Sequence, residues 1–171
     1  MIKATVRWSL NSDMDCMLKI EKNSFAHPWD RQDFLNCLRK KDHNGIVVEH
    51  KKTKLVVGYL MFQMVDDEFR IVNMAVDPKY RLQGYGRLLV EYLQKRLNSE
   101  GAFSKKRVKF VCSDLNLDCH LFSKSTGFRA VKVVHNHFGP NHDGYEFMFN
   151  CEAVPAVKVV KRKSVKTKSE K

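Results

Sequence analysis

Residues 73–93, NMAVDPKYRLQGYGRLLVEYL, constrain the fold more than any other stretch of this chain. A strand-like apolar run ends at Val76, and Leu88, Leu89, Tyr92 and Leu93 then recur at helical spacing. Between them stand Gly84 and Gly86, one residue apart, with Arg81 and Arg87 on either side. A strand that passes through a glycine turn straight into a helix leaves unpaired N–H groups at the helix N-terminus. Those donors, the helix dipole and a nearby arginine suit a phosphate-bearing ligand. Glycine also removes the Cβ atoms that would hold phosphate oxygens off the backbone. The same spacing fits a loop that merely has to turn. Two nucleotide motifs are absent: no GxxxxGK[ST] occurs, and Leu89 takes the last place of what would be GxGxxG.

The remaining pattern predicts a mixed α/β chain. ATVRWSL alternates like a strand, and Ser12 with Asp15 resembles a capping box that opens a helix through Met14, Met17, Leu18 and Glu21. Pro28 ends it. Asp30 then reads as an N-cap with Asp33 at the third helical position, and Trp29 and Phe34 stand where a hydrophobic staple would. GIVVEH, LVVGYLMFQMV and FRIVNMAV, joined by short polar turns, predict an antiparallel meander. After the glycine loop and its helix come the strand RVKFVCS, a short helix NLDCHLFSKST closed by Gly127, and the strands FRAVKVVH and YEFMFN.

With 171 residues and 43% apolar content, one globular domain over residues 1–153 is expected. The stretch 154–171 reads as a basic, disordered tail: from Ala156 on it has seven cations and one acid, half of the net charge of +12. Such a tail suits either a solubilising extension or an electrostatic contact with the ribosome, nucleic acid or acidic protein. No run has the length of a membrane span, and the first residues lack a signal peptide's apolar stretch, so a cytoplasmic protein without membrane contact is expected. The five cysteines form no CxxC pair, and nothing completes a ligand set around His135, His137 and His142, so no metal is expected.

RLQGYG, residues 81–86, matches the [RQ]xxGx[GA] signature of the GNAT acetyltransferases. The wider chain resembles that family's ribosomal-protein-alanine N-acetyltransferases of the RimI type. The features that carry the resemblance are Phe25, Pro28 and Trp29, the block quoted above, the Asn116 helix ending STGF, and the final DGYEFMF. The resemblance implies a central, mostly antiparallel sheet of about seven strands with about four helices, splayed where two strands part. It implies acetyl-CoA as acyl donor and, as acceptor, an amine, first of all a protein N-terminus, with a ribosomal protein as first guess. By the same resemblance, Met74, Ala75 and Val76 would bond the pantetheine and acetyl group. Arg81, Leu82, Gln83, Gly84, Tyr85, Gly86 and Arg87 would hold the pyrophosphate, and Asn116 would contact the pantetheine. Phe25 and Trp29 would wall the acceptor groove, although core packing explains them nearly as well. His137 and Phe138 stand where many relatives carry paired tyrosines, and Glu146 could receive the acceptor's ammonium.

Two positions depart from the family pattern. Its general-base glutamate is replaced by Val111, and its acid tyrosine by Ser123, a far weaker proton donor. Glu68 is a candidate substitute base, or simply a hairpin carboxylate. A catalytically weak or inactive acyl-CoA-binding module is the alternative that these departures raise.

Overall fold

A computed structural model of the chain describes residues 4–97 and 105–150. Its elements are β1 (Ala4–Trp8), α1 (Met14–Lys22), α2 (Arg31–Leu38), β2 (His43–His50), β3 (Val56–Val65), β4 (Glu68–Val76), α3 (Tyr85–Gln94), β5 (Arg107–Ser113), α4 (Leu117–Ser125), β6 (Arg129–Val134) and β7 (Gly144–Asn150). This is the predicted order, with short 3-10 turns added at Asn11–Asp13 and Pro78–Tyr80. The basic stretch 154–171 lies outside the described residues.

The strands form one sheet in the order β1-β2-β3-β4-β5-β7-β6. β2, β3 and β4 make the antiparallel meander that alternation predicts, whereas β4 and β5 run parallel. That parallel pairing covers only Glu68–Arg70 against Arg107–Lys109. Beyond it β4 stays with β3 and β5 with β7, so the sheet opens between Ile71–Val76 and Phe110–Ser113. The splay therefore follows from a parallel ladder that stops after three residues.

A β-bulge determines what faces that opening. Phe62 pairs with Ile71 but Met61 with Asn73, leaving Val72 as the extra residue. An added residue reverses the alternation of side chains. Before the bulge Phe69 and Ile71 face the core beneath α3; after it Met74 and Val76 do, and Ala75 joins the core beneath α1 and α2. The sheet thus separates two apolar layers, one under each pair of helices.

Local sequence explains the helix ends unevenly. At α2 the Asp30 carboxylate accepts from Asp33 N at 2.8 Å and Asp33 returns the bond at 2.9 Å, while Trp29 and Phe34 rings meet at 5.3 Å. Cap and staple are as predicted. At α1 they are not: Asp13, rather than Ser12 with Asp15, organises the start. Its carboxylate accepts from Leu10 N at 2.7 Å and from Arg7 of β1 at 2.7 Å. The deciding partner is tertiary, so local spacing could not reveal it. α4 closes as expected on Gly127, at φ +84°, with Phe128 N donating to Ser123 O at 2.9 Å.

Candidate active site

The glycine loop sits at the mouth of the splay, and its two glycines do different work. Gly84, at φ +88°, takes a left-handed conformation just before Tyr85 starts α3. Gly86 permits close approach: a Cβ there would lie 3.2 Å from Phe122 of α4 and 3.3 Å from Met74 of β4. The helix N-terminus is thereby brought against β4 and α4, beside the opening. Leu82, also at positive φ, projects fully into solvent. The first N–H groups of α3 have no acceptor within the helix and point out at this mouth.

The polar side chains of the loop brace this frame. Arg81 donates through Nε to Val76 O at 3.1 Å and through Nη2 to Ser24 Oγ at 3.0 Å, joining the end of β4 to the turn after α1. Arg87 donates to Ser125 O at 2.8 Å, tying α3 to the C-terminal turn of α4. Gln83 closes the loop on Lys79 O at 3.1 Å. On the other side, Asn116 caps α4 by accepting from Cys119 N at 3.0 Å. It shares an open depression of about 450 Å³ with Ser113, Leu115, Leu117 and Asp118.

The opposite face of the sheet carries the remaining candidates. Ala75 and Asn73 line it from β4, and Val111 and Ser113 from β5, with Glu146 of β7 directly across from Val111. Phe25 is half exposed at the α1–α2 turn, and Trp29 packs against the α1–α2 core. His137 and Phe138, from the β6–β7 loop, meet edge to face at 4.8 Å. A Cβ on Gly144 would lie 2.6 Å from Val111 Cγ1 and 3.2 Å from His137 Cβ. The loop therefore folds His137 back beside Val111.

A buried polar cluster on this face was not read from the sequence. Glu21 of α1 is enclosed, with its carboxylate accepting from the Tyr59 hydroxyl, from Asn73 Nδ2 at 3.1 Å and from Trp29 N at 2.9 Å. Burial, and then the Glu21 carboxylate, push the Tyr59 phenol well above its ordinary value, so it stays a donor. The available signal was an acid on the apolar stripe of α1, in step with Met14 and Met17.

Two proposed proton-transfer groups are placed away from this chemistry. Ser123 is fully buried, and its hydroxyl donates to Cys119 O at 2.6 Å within its own helix. Its proton is thus committed, as expected for a small hydroxyl one turn along a helix. Glu68 lies at the closed end of the splay, six strand residues or about 20 Å from Met74. It pairs with Arg70 at 2.6 Å and Lys109 at 3.1 Å, and Lys109 reaches Glu146 at 3.6 Å. Burial alone would raise the Glu68 carboxyl, but Arg70 and Lys109 outweigh it and hold the group below its ordinary value. A carboxylate so committed is a poor base, and Glu68 is reassigned to structure.

That reassignment has a pH signature. A depressed carboxyl stabilises the fold above its unfolded value, about 4.3 for glutamate, and the stabilisation is lost as pH falls through the folded value. Glu68→Gln is therefore expected to leave turnover at pH 8 within about twofold of wild type. It should also flatten the loss of thermal stability between about pH 5 and pH 3. A thermal-melt series across that range, alongside a turnover assay, checks both.

The model of the Acetyltransferase (GNAT) family matches residues 10–128. The chain belongs to the GNAT acetyltransferase family. Among curated relatives it is 27% identical over 135 residues to the [ribosomal protein bS18]-alanine N-acetyltransferase of Escherichia coli strain K12, covering 79% of this chain and 86% of that one. It is 34% identical over 87 residues to a putative enzyme of the same name from Bacillus subtilis strain 168, covering 51% and 57%. The crystal structure of the Escherichia coli ribosomal-protein-S18-alanine N-acetyltransferase superposes with a TM-score of 0.74 at 22% identity, over 89% of this chain and 96% of that one. Arabidopsis thaliana NAA60 in complex with acetyl-CoA superposes with a TM-score of 0.72 at 17% identity, over 86% and 98%. The splayed seven-stranded sheet with four helices is thus the GNAT fold, and the chain is an acetyl-CoA-dependent N-acyltransferase. With that, the non-catalytic module loses its support. Among the described residues no helix is long and apolar enough to cross a membrane, and no three potential metal ligands gather.

Proposed function

We propose that this GNAT enzyme transfers the acetyl group of acetyl-CoA to the N-terminal α-amine of a protein, with a ribosomal protein as the first candidate acceptor. The observation that carries the reading is the opening between β4 and β5, with the N-terminus of α3 at its mouth and an aromatic-walled face behind it. The similarity to relatives named ribosomal-protein-alanine N-acetyltransferases supports the acceptor class.

In this reading the amides of Leu82 to Arg87 hold the pyrophosphate, and Asn116 meets the pantetheine from the far side. Met74 to Val76 offer backbone bonds to the acyl end, whose carbonyl oxygen is polarised by amides near Ala75 and Val76. The amine enters between Phe25 and Trp29 on one side and His137 and Phe138 on the other. Its ammonium is drawn by Glu146, and it attacks the thioester directly.

Acid–base magnitudes favour an α-amine. With a pKa near 8, about 10% of an α-amine is neutral at pH 7, against about 0.04% of a lysine amine near 10.4. The departing thiol resembles cysteine, with a pKa of about 8.5, so it can leave as thiolate without a strong acid. Orientation of amine and thioester supplies much of the remaining rate.

A panel of peptides with free N-termini, matched to peptides with a blocked N-terminus and an internal lysine, tests this directly. Free-N-terminus peptides are expected to gain one acetyl group at least about 100-fold faster at pH 7. Equal rates on lysine peptides would overturn the acceptor assignment. Deleting residues after Pro155 separates any tail-mediated ribosome or nucleic-acid contact, which should fall steeply with salt, from acetyl transfer to free peptides, which should persist.

A further inference from the structure

A base for amine acetylation has to stand on the face from which the amine arrives, keep an unshared lone pair, and be held still. Few groups here meet all three conditions. Glu68 is ion-paired at the closed end, and Glu146 shares Lys109 with it. Glu21 is enclosed by three donors. His120 bonds Ser113 O through Nε2 at 2.9 Å and lies against Tyr145 and Phe147. Those rings belong to the core on the other side of the sheet. His135 is paired with Asp143 at 3.0 Å.

We propose that His137 is the general base of the acetyl transfer. This deepens the acetyl-transfer reading above and rests on it. Its side chain lies against Gly144 and Val111, at the open end of β5 and on the acceptor face. Among the described residues, its one recorded side-chain contact besides this packing is the Phe138 ring, so both imidazole nitrogens remain available. The loop that carries it is fixed from several directions. Asn136 N donates to the Asp143 carboxylate at 3.0 Å and Asn141 N to Asn136 Oδ1 at 2.9 Å. Phe138 N donates to His142 O at 3.1 Å, and Asp114 N to Asp143 O at 3.0 Å, which anchors the loop to the end of β5.

Charged and titratable groups stand on every element that neighbours this loop. Glu146 and Lys109 share the acceptor face of β7 and β5; Asp143, His135 and His142 belong to its own loop; Asp114 follows β5. Histidine is the side chain whose ordinary titration falls between pH 5 and 8, where a base for an α-amine is useful. In the step, the imidazole takes one proton from the arriving ammonium, the freed nitrogen lone pair forms the new bond to the thioester carbon, and the nitrogen's second proton passes to solvent as the adduct breaks down. The C–S bond breaks with its electron pair retained by sulfur. The imidazolium then returns its proton to the thiolate or to solvent.

The test compares wild type, His137→Gln, Phe138→Leu and His27→Gln in the full chain, with saturating acetyl-CoA and an alanine-terminated peptide, from pH 6 to 9.5. His137→Gln is expected to lower kcat about 100-fold near pH 7 with little change in peptide KM. The deficit should shrink steadily above about pH 8, where the amine loses its own proton. Phe138→Leu is expected to raise KM without altering the pH profile, and His27→Gln, in the turn between Phe25 and Trp29, to keep the wild-type pH profile of kcat whatever it does to KM. Unchanged acetyl-CoA binding shows that the variants are folded. Wild-type turnover by His137→Gln, or a deficit in KM or kcat that is the same at every pH, would overturn the proposal. If wild type itself acetylates no amine at any pH, the acetyl-transfer reading falls, and the proposal with it.

Discussion

Gly86→Val is expected to weaken acetyl-CoA binding by at least about 100-fold while leaving a folded protein. A Cβ at this position already lies 3.2 Å from Phe122 and 3.3 Å from Met74, so the branched side chain of valine crowds both. Overpacking of this kind costs about 1–3 kcal/mol and is relieved by moving whatever moves most easily. The flexible end of Met74 can give way but the Phe122 ring, packed against the core, resists, so the first turn of α3, tied to α4 by Arg87, is pushed off it. A displaced turn no longer aims its N–H groups at the diphosphate. Losing two charge-assisted hydrogen bonds of about 1.5–3 kcal/mol each accounts for the expected fold-change. Calorimetric titration with acetyl-CoA checks it, and wild-type affinity would show that the helix start does not hold the donor. Gly84→Val acts differently, by forcing a β-branched residue into a left-handed conformation, and should cost stability as well.

Glu21→Ala is expected to be the most destabilising single change on the acceptor side, by about 3 kcal/mol. Three buried donors, on Tyr59, Asn73 and Trp29, lose their common acceptor. An orphaned buried donor costs about 1–3 kcal/mol, moderated here by relaxation around the cavity. Tyr59→Phe deletes one donor together with its need for a partner and should cost only about 1 kcal/mol. Chemical denaturation of the two variants gives the comparison, and near-equal losses would contradict it. The cluster also joins the α1–α2 turn to β4 one residue before Met74. Glu21→Ala should therefore raise the peptide KM more than that of acetyl-CoA, because Phe25 and Trp29 lose their support.

What could be read from the sequence divides along the range of the interactions involved. The order of all eleven elements, the α2 capping box, the Gly127 helix end and the glycine loop are set by residues within a few positions of each other, and each was legible. The bulge at Val72 was not, since it depends on the register of β3 against β4. Asp13 was missed for the same reason: its partner Arg7 comes from a strand whose position only the fold decides. Glu68 shows the limit most clearly. Its place at the head of β4 was readable, but its distance from Met74 and its ties to Arg70 and Lys109 were not. Conversely, Gly86 was read as making room for phosphate, and the structure adds a second demand on it, from Phe122 and Met74. Val111 and Ser123 marked the loss of two proton-transfer residues. The approach of His137 to Val111 arises from the β6–β7 loop folding over Gly144 and left no trace in local spacing.

Amide hydrogen exchange with and without acetyl-CoA tests the donor site most directly. Saturating acetyl-CoA is expected to slow exchange at Leu82 to Leu88, at Met74 to Val76 and around Asn116, with the β2–β3 hairpin unaffected. Protection confined to other segments, or absent at a concentration that saturates turnover, would contradict a donor held between the start of α3 and the parted strands β4 and β5.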